Sequence, residues 1–265
     1  MSASVAFERA RSEERAALVG YLPAGYPSVA GAVDVLKAMV DAGVDVVEVG
    51  LPYSDPLMDG PVIQTAVEAA LRAGANTTDV LRTVEAVAAT GTPTLVMSYW
   101  NPIDRYGPER FSRDLAAAGG AGVITPDIIP DDAEEWLPVA RSQDLDTVFL
   151  VAPSSTDKRI ALTTEACRGF VYAASTMGVT GTRDQVGDAA ADLVARTRKT
   201  TALPVAVGLG VSNADQAAEV ANFADGVIVG SAFVRCLLDA DSPADGVRAA
   251  GELAGQLSSG VRRQA

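Results

Sequence analysis

The chain has 265 residues, near the roughly 250 of an α/β barrel and also long enough for two average domains. Its 21 basic residues against 34 acidic ones give a formal charge of −13, which repels polyphosphate and argues against sequence-independent nucleic-acid binding. No apolar run reaches the roughly 20 residues of a spanning helix, and the opening MSASVAFERARSEERAA lacks a signal-peptide core, so a cytoplasmic location away from membranes is expected.

In chain order, SVAFERARSEER reads as a helix preceding the first strand. Eight short β-rich runs then recur about every 30 residues. They are ALVGYLP (17–23), VDVVEVGLP (44–52), PTLVMSYW (93–100), AGVITPDII (121–129), DTVFLVAP (146–153), GFVYAAS (169–175), PVAVGLG (204–210) and DGVIVGS (225–231). Helical patterns separate them, several opening on Ser, Thr, Asp or Asn at an N-cap. Continuous Val/Ile/Leu runs suit strands covered on both faces, hence a parallel sheet. Eight βα units predict an α/β fold, a (β/α)8 TIM barrel with an extra N-terminal helix. A doubly wound open sheet is the alternative, but no GxGxxG follows the first strand. No Pro- or Ser-rich linker divides the chain, so residues 1–265 are expected to form one barrel domain. The C-terminal SSGVRRQA is expected to be frayed.

The chain contains no histidine, which removes Ser-His-Asp and Cys-His nucleophile systems and histidine-ligated zinc. Acid–base chemistry near neutral pH then falls to carboxylates, Lys or Tyr. Cys167 and Cys236 have no CxxC spacing and read as two buried free thiols.

Barrel active sites lie at the C-terminal ends of the strands. In VDVVEVG, Val47, Val49 and Leu51 share one parity and are expected to face the helices. Val46, Glu48 and Gly50 then face the interior, where burial raises a carboxyl pKa toward the working pH. A structural ion pair is the alternative role for Glu48, but no basic residue follows within twenty positions. Asp55 and Asp59, each beside Pro or Gly, fit ordinary turn chemistry on local pattern alone. Glycines cluster late in the chain, at Gly178, Gly181, Gly208, Gly210 and Gly230. They serve either tight βα turns or a phosphate nest at a helix N-terminus, with SAFVRCLLD as the short helix of such a site.

The segments VEVGLPYSDPLMDGPVIQ (47–64), SYWNPIDRYG (98–107), ITPDIIPDD (124–132), MGVTG (177–181) and GVIVGSAFV (226–234) together resemble the α subunit of tryptophan synthase, over nearly the whole chain. The resemblance implies retro-aldol cleavage of indole-3-glycerol phosphate to indole and glyceraldehyde 3-phosphate, without metal or organic cofactor. It implies a β-subunit partner, in an αββα heterotetramer. It makes Glu48 and Asp59 the catalytic carboxylates, with Glu48 moving the protons and Asp59 accepting the indole N–H. It places Tyr172 near the reacting centre and Thr180 on a closing loop against the aspartate. The expected phosphate positions are Gly181, Gly210, Gly230 and Ser231. Tyr21, Tyr99 and Asp127 fall at positions lining the pocket or the subunit contacts.

Two segments depart from the family pattern. Gly208-Leu209-Gly210 stands where many members have Gly-Phe-Gly, so Leu209 offers apolar contact without a stacking face. Ile128-Ile129-Pro130 stands where many have Leu-Pro-Pro. The segment from Met177 to Gly187, polar and rich in glycine, is expected to be a mobile cap over the barrel mouth. The required pKa pattern has Glu48 raised by burial and Asp59 kept low by solvent or a donor such as Thr180. A different phosphate-binding barrel, such as a sugar-phosphate isomerase, leaves the SDPLMDGP segment without a role. A purely docking subunit has no need of both carboxylates.

Overall fold

The computed structural model describes residues 1–175 and 183–262. The chain opens with α1 (Ser4–Ser12), β1 (Ala17–Pro23), α2 (Val29–Asp41), β2 (Val46–Gly50), α3 (Pro61–Arg72), α4 (Thr77–Ala88) and β3 (Thr94–Met97). It continues through α5 (Trp100–Tyr106), α6 (Pro108–Ala117), β4 (Gly122–Thr125), a 3-10 turn (Pro130–Asp132), α7 (Trp136–Ser142) and β5 (Asp146–Val151). The remainder is α8 (Asp157–Ala166), β6 (Val171–Ala174), α9 (Arg183–Thr197), β7 (Val205–Gly208), α10 (Ala214–Ala221), β8 (Gly226–Val229), α11 (Ser231–Leu238) and α12 (Pro243–Gly260).

The eight strands pair in chain order and β8 returns to β1, so the sheet is a closed parallel barrel, as the strand spacing predicts. Strand parity sorts the side chains into two layers. Val47, Val49 and Leu51 join the apolar cluster shared with the helices. Val19, Val46, Leu95, Ile124, Val148 and Ala206 fill the interior. The N-terminal helix is the plug of that interior: Ala6, Phe7 and Ala10 of α1 pack into the same cluster. Gly226 makes room for it, since a Cβ there would stand 2.7 Å from Cε1 of Phe7.

Charge at this end is arranged around buried acids. The Asp45 carboxylate accepts from Nη1 and Nη2 of Arg15 at 2.5 and 2.8 Å and from the Leu18 amide at 2.9 Å. Asp146 accepts from the Ala3 amide at 2.7 Å and from the Ser2 hydroxyl at 3.0 Å, tying the chain's start to the foot of β5.

Four expectations change, the first being the cap over 177–187: its residues 183–187 belong to α9, and the rest of it lies outside the described residues. Residues 61–66, the end of the stretch PYSDPLMDGPVIQTA (52–66) whose turn residues suggest a loop, instead open the helix Pro61–Arg72, whose first position is proline, where the missing N–H costs nothing. The chain near 258–262 is not frayed, because α12 runs to Gly260, Val261 is fully buried, and Arg262 forms a bridge with Arg15. The cysteines are both free, but only Cys167 is buried; Cys236 is partly exposed. No helix among the described residues is long and apolar enough to cross a membrane.

Candidate active site

Inward positions near the C-terminal ends of β1, β2, β3, β5, β6 and β8 open on one cavity of about 430 Å³. Tyr21 of β1, Glu48 of β2, Met97 of β3, Leu150 of β5, Tyr172 of β6 and Ile228 of β8 form its floor and walls. Two glycines create the space for the phenols. A Cβ on Gly50 would lie 2.7 Å from the Tyr21 ring, and one on Gly208 would lie 2.6 Å from the Tyr172 hydroxyl oxygen. Neither strand position tolerates a side chain while those rings stay in place.

Glu48 is 1% exposed, and its Oε1 has no hydrogen-bond partner among the described residues. A carboxylate in that position loses its hydration without compensation, so burial pushes the Glu48 carboxyl up to about 8. The ion-pair alternative therefore fails: no salt bridge reaches this side chain among the described residues. Glu48 and Tyr21 are register partners on neighbouring strands, and the nearby acids add to the burial that holds the Tyr21 phenol protonated. Tyr172 is held protonated by the same burial and by Glu48.

Asp59 reaches the cavity from the loop between β2 and α3. Its carboxylate Oδ1 accepts a hydrogen bond of 3.1 Å from the Tyr99 hydroxyl, and its backbone carbonyl accepts one of 2.7 Å from the Gln64 side chain. Burial raises its pKa, while the Tyr99 donor pulls the other way. This corrects the expectation of an Asp59 kept low: the shift is upward, and the visible donor is Tyr99. Asp55 stays outside the cavity, exposed and bonded to Ser54, as turn chemistry requires.

The far wall is built from backbone. Leu209, Gly210, Gly230 and Ser231 all line the cavity. Gly210 has φ +75°, a conformation that favours glycine, with open space where a Cβ would be. Gly230 is the N-cap residue of α11, and no side chain caps that helix. The helix start is thus turned toward the cavity with a partial positive charge. Asp127 lies outside the cavity; it accepts from the Trp100 amide at 2.9 and 3.1 Å. Thr180 and Gly181 lie outside the described residues. Sequence reasoning missed the apolar lining of Ile63, Met97, Leu150 and Ile228, although inward parity on β3, β5 and β8 marks the last three. Among the described residues no group of His, Cys, Asp or Glu could hold a metal ion. A second hollow, about 400 Å³, sits at the opposite end of the barrel, where Arg11 and Arg198 both pair with Asp225. It is remote from the carboxylates.

A closed parallel barrel whose C-terminal mouth opens on a cavity with a buried carboxyl has the architecture of a TIM-barrel enzyme. Comparison with known proteins specifies which. The family model for the tryptophan synthase alpha chain matches residues 7–262. The tryptophan synthase alpha chain of Acidothermus cellulolyticus is 59% identical over 260 residues, covering 97% of this chain and 96% of the relative. That of Streptomyces avermitilis is 63% identical over 254 residues, covering 96% and 92%. A crystal structure of tryptophan synthase from M. tuberculosis superposes with a TM-score of 0.90 at 50% identity, covering 98% of each chain. The chain belongs to the tryptophan synthase alpha chain family, whose lyase reaction cleaves indole-3-glycerol phosphate to indole and glyceraldehyde 3-phosphate.

Proposed function

We propose that Glu48 and Asp59 are the catalytic residues of that cleavage in this chain. The carrying observation is the Glu48 carboxyl, buried, with Oε1 unpartnered among the described residues and its pKa pushed up to about 8, so that it is neutral and able to donate at physiological pH. Glu48 delivers its proton to C3 of the indole ring, leaving the ring cationic at nitrogen. The resulting carboxylate removes the proton of the C3′ hydroxyl. The C3–C3′ electron pair returns to the ring, indole leaves, the aldehyde forms, and Glu48 ends protonated as it began. Asp59 accepts the indole N–H and stabilises the positive charge that grows there. Met97, Leu150 and Ile228 give the ring an apolar bed, and Leu209 adds contact without stacking.

The phosphate belongs at Gly210, Gly230 and Ser231, with Gly181 from outside the described residues. Backbone N–H groups and the start of α11 favour an anion there, although no Lys or Arg among the described residues lines the cavity. Remote binding energy of this kind orients the reacting carbon. Neither metal nor organic cofactor enters the scheme. The partner of this reading is the tryptophan synthase β subunit, in an αββα heterotetramer, with the chain working in the cytoplasm as one barrel domain. The test is Glu48→Gln, a near-isosteric change. Turnover is expected to vanish while binding of glycerol phosphate stays nearly intact. Retention of a tenth of the wild-type kcat would overturn the proton-shuttle role.

A further inference from the structure

The proposed reaction needs Asp59 to meet the indole nitrogen at a fixed angle, yet Asp59 sits on a long loop between a strand and a helix. Two contacts hold it. Gln64, in the first turn of α3, fixes the backbone carbonyl of Asp59. The other contact comes from a residue 40 positions away in sequence: Tyr99, whose hydroxyl sits between the Met58 amide and the Asp59 carboxylate.

The direction of these bonds follows from the donor inventory. The Met58 N–H can only donate, so it occupies a lone pair of the Tyr99 oxygen, at 2.9 Å. The single hydroxyl proton is then free to point at Asp59 Oδ1, 3.1 Å away. One phenol thus orders both the backbone and the side chain of the Asp59 loop. Tyr99 is itself held. It is the N-cap residue of α5, and the next amide, that of Trp100, donates to both oxygens of the Asp127 carboxylate. Asp127 therefore does for this helix what an N-cap side chain ordinarily does, but from the loop after β4. The Tyr99 ring also packs on Tyr53, with centroids 5.4 Å apart.

We propose that Tyr99 is a positioning residue for the cleavage reaction, aiming the Asp59 carboxylate at the cavity, and that Asp127 sets Tyr99 through the first turn of α5. The linkage runs from the β4 loop, through the Trp100 amide at the start of α5, to the Tyr99 hydroxyl and the β2 loop that it holds. This rests on the reading of Asp59 as a catalytic residue, and its test keeps the two apart.

The experiment compares kcat and KM for Tyr99→Phe, Asp59→Asn, Asp127→Ala and the two double variants containing Tyr99→Phe, using indole-3-glycerol phosphate and the full chain. Tyr99→Phe keeps the ring and removes the hydroxyl. Its kcat is expected to fall by about 10-fold to 100-fold with KM little changed, the scale set by a misaimed reacting group. The same substitution is expected to be silent in the Asp59→Asn background, because nothing is left to aim. Asp127→Ala is expected to give a smaller fall that disappears once Tyr99→Phe is present. The acid limb of the kcat profile is expected to move upward in Tyr99→Phe, since the lost donor no longer opposes the rise that burial gives the Asp59 carboxyl. A collapsed Asp59→Asn beside an unchanged Tyr99→Phe overturns the positioning role and leaves the catalytic one standing. Equal effects of Tyr99→Phe with and without Asp59 also overturn it. An Asp127→Ala loss that persists in full beside Tyr99→Phe overturns the Asp127 step. An active Asp59→Asn overturns the catalytic reading itself.

Discussion

Phe7 of the first helix and Phe170 at the foot of β6 meet with ring centroids 5.2 Å apart, closing the barrel at the end opposite its chemistry. Both rings are at least 98% buried, and Gly226 gives up its side chain to admit the first of them. The helix is short and carries no side-chain cap at its N-terminus, so its place depends on this packing and on the Asp146 contacts to Ser2 and Ala3. Phe7→Ala is expected to cost about 3–5 kcal/mol of unfolding free energy, the range for emptying a buried aromatic site. The cavity is at the other end, so kcat of the folded fraction is expected to stay at the wild-type value. Denaturant unfolding beside an activity assay checks both halves. A variant that keeps its stability would mean that the plug contributes nothing.

Much of this architecture is legible in the sequence because a parallel barrel writes each strand as an uninterrupted apolar run. All eight strands fall inside the runs read from the sequence, and β1 matches its run end to end. The helices that escape do so for local reasons. α3 starts at Pro61 directly after Asp59-Gly60, a pair that reads as turn chemistry. α12 carries four glycines, Gly246, Gly251, Gly255 and Gly260, which weaken its helical signal. Packing explains Gly246, since a Cβ there would come 2.9 Å from Leu237 Cδ2. Glu48 announces itself as a charge on an inward parity. Asp59 does not, because its partner Tyr99 lies 40 residues away and only the closed barrel brings the two loops together. Family resemblance supplied Asp59 where local pattern favoured a turn.

The phosphate reading predicts an unusual split between stability and binding. Ser231 is the first residue of α11, and Gly230 before it offers no capping side chain. A carboxylate in the first turn of a helix stabilises it through the partial positive charge there. Ser231→Asp is therefore expected to leave the melting temperature unchanged or slightly raised. The same carboxylate stands where the substrate phosphate is proposed to sit, so KM is expected to rise at least about tenfold, or roughly 1.4 kcal/mol of lost binding. High salt is expected to soften the effect, since the repelled charges are near solvent. Steady-state kinetics at two ionic strengths, beside a thermal melt, provide the check. An unchanged KM in a normally folded variant places the phosphate elsewhere.

With the acid role proposed for it, Glu48 links catalysis as well as stability to pH, with opposite consequences for the variant that removes its charge. Its pKa rises from 4.5 to about 8 on folding because burial disfavours the ion. Between those values the folded state binds the proton that the unfolded state has lost. Stability contributed by this site is therefore greatest below pH 4.5 and declines as pH rises toward 8. Glu48→Gln cannot ionise and escapes that decline. The two proteins are expected to have similar stabilities near pH 4, with the variant gaining on the wild type up to about pH 8. The difference at pH 7 is on the order of 3 kcal/mol, from 1.36 kcal/mol per pH unit between the two pKa values. The other carboxyls titrate in both proteins and cancel in the difference. Activity follows the same proton: wild-type kcat is expected to fall above about pH 8, where Glu48 ionises and can no longer protonate the indole ring. Denaturant unfolding of both proteins from pH 4 to 9 measures the first expectation, and the alkaline limb of the wild-type rate profile measures the second. A stability difference that stays flat across that range means Glu48 is not held neutral by the fold, and the acid role assigned to it falls.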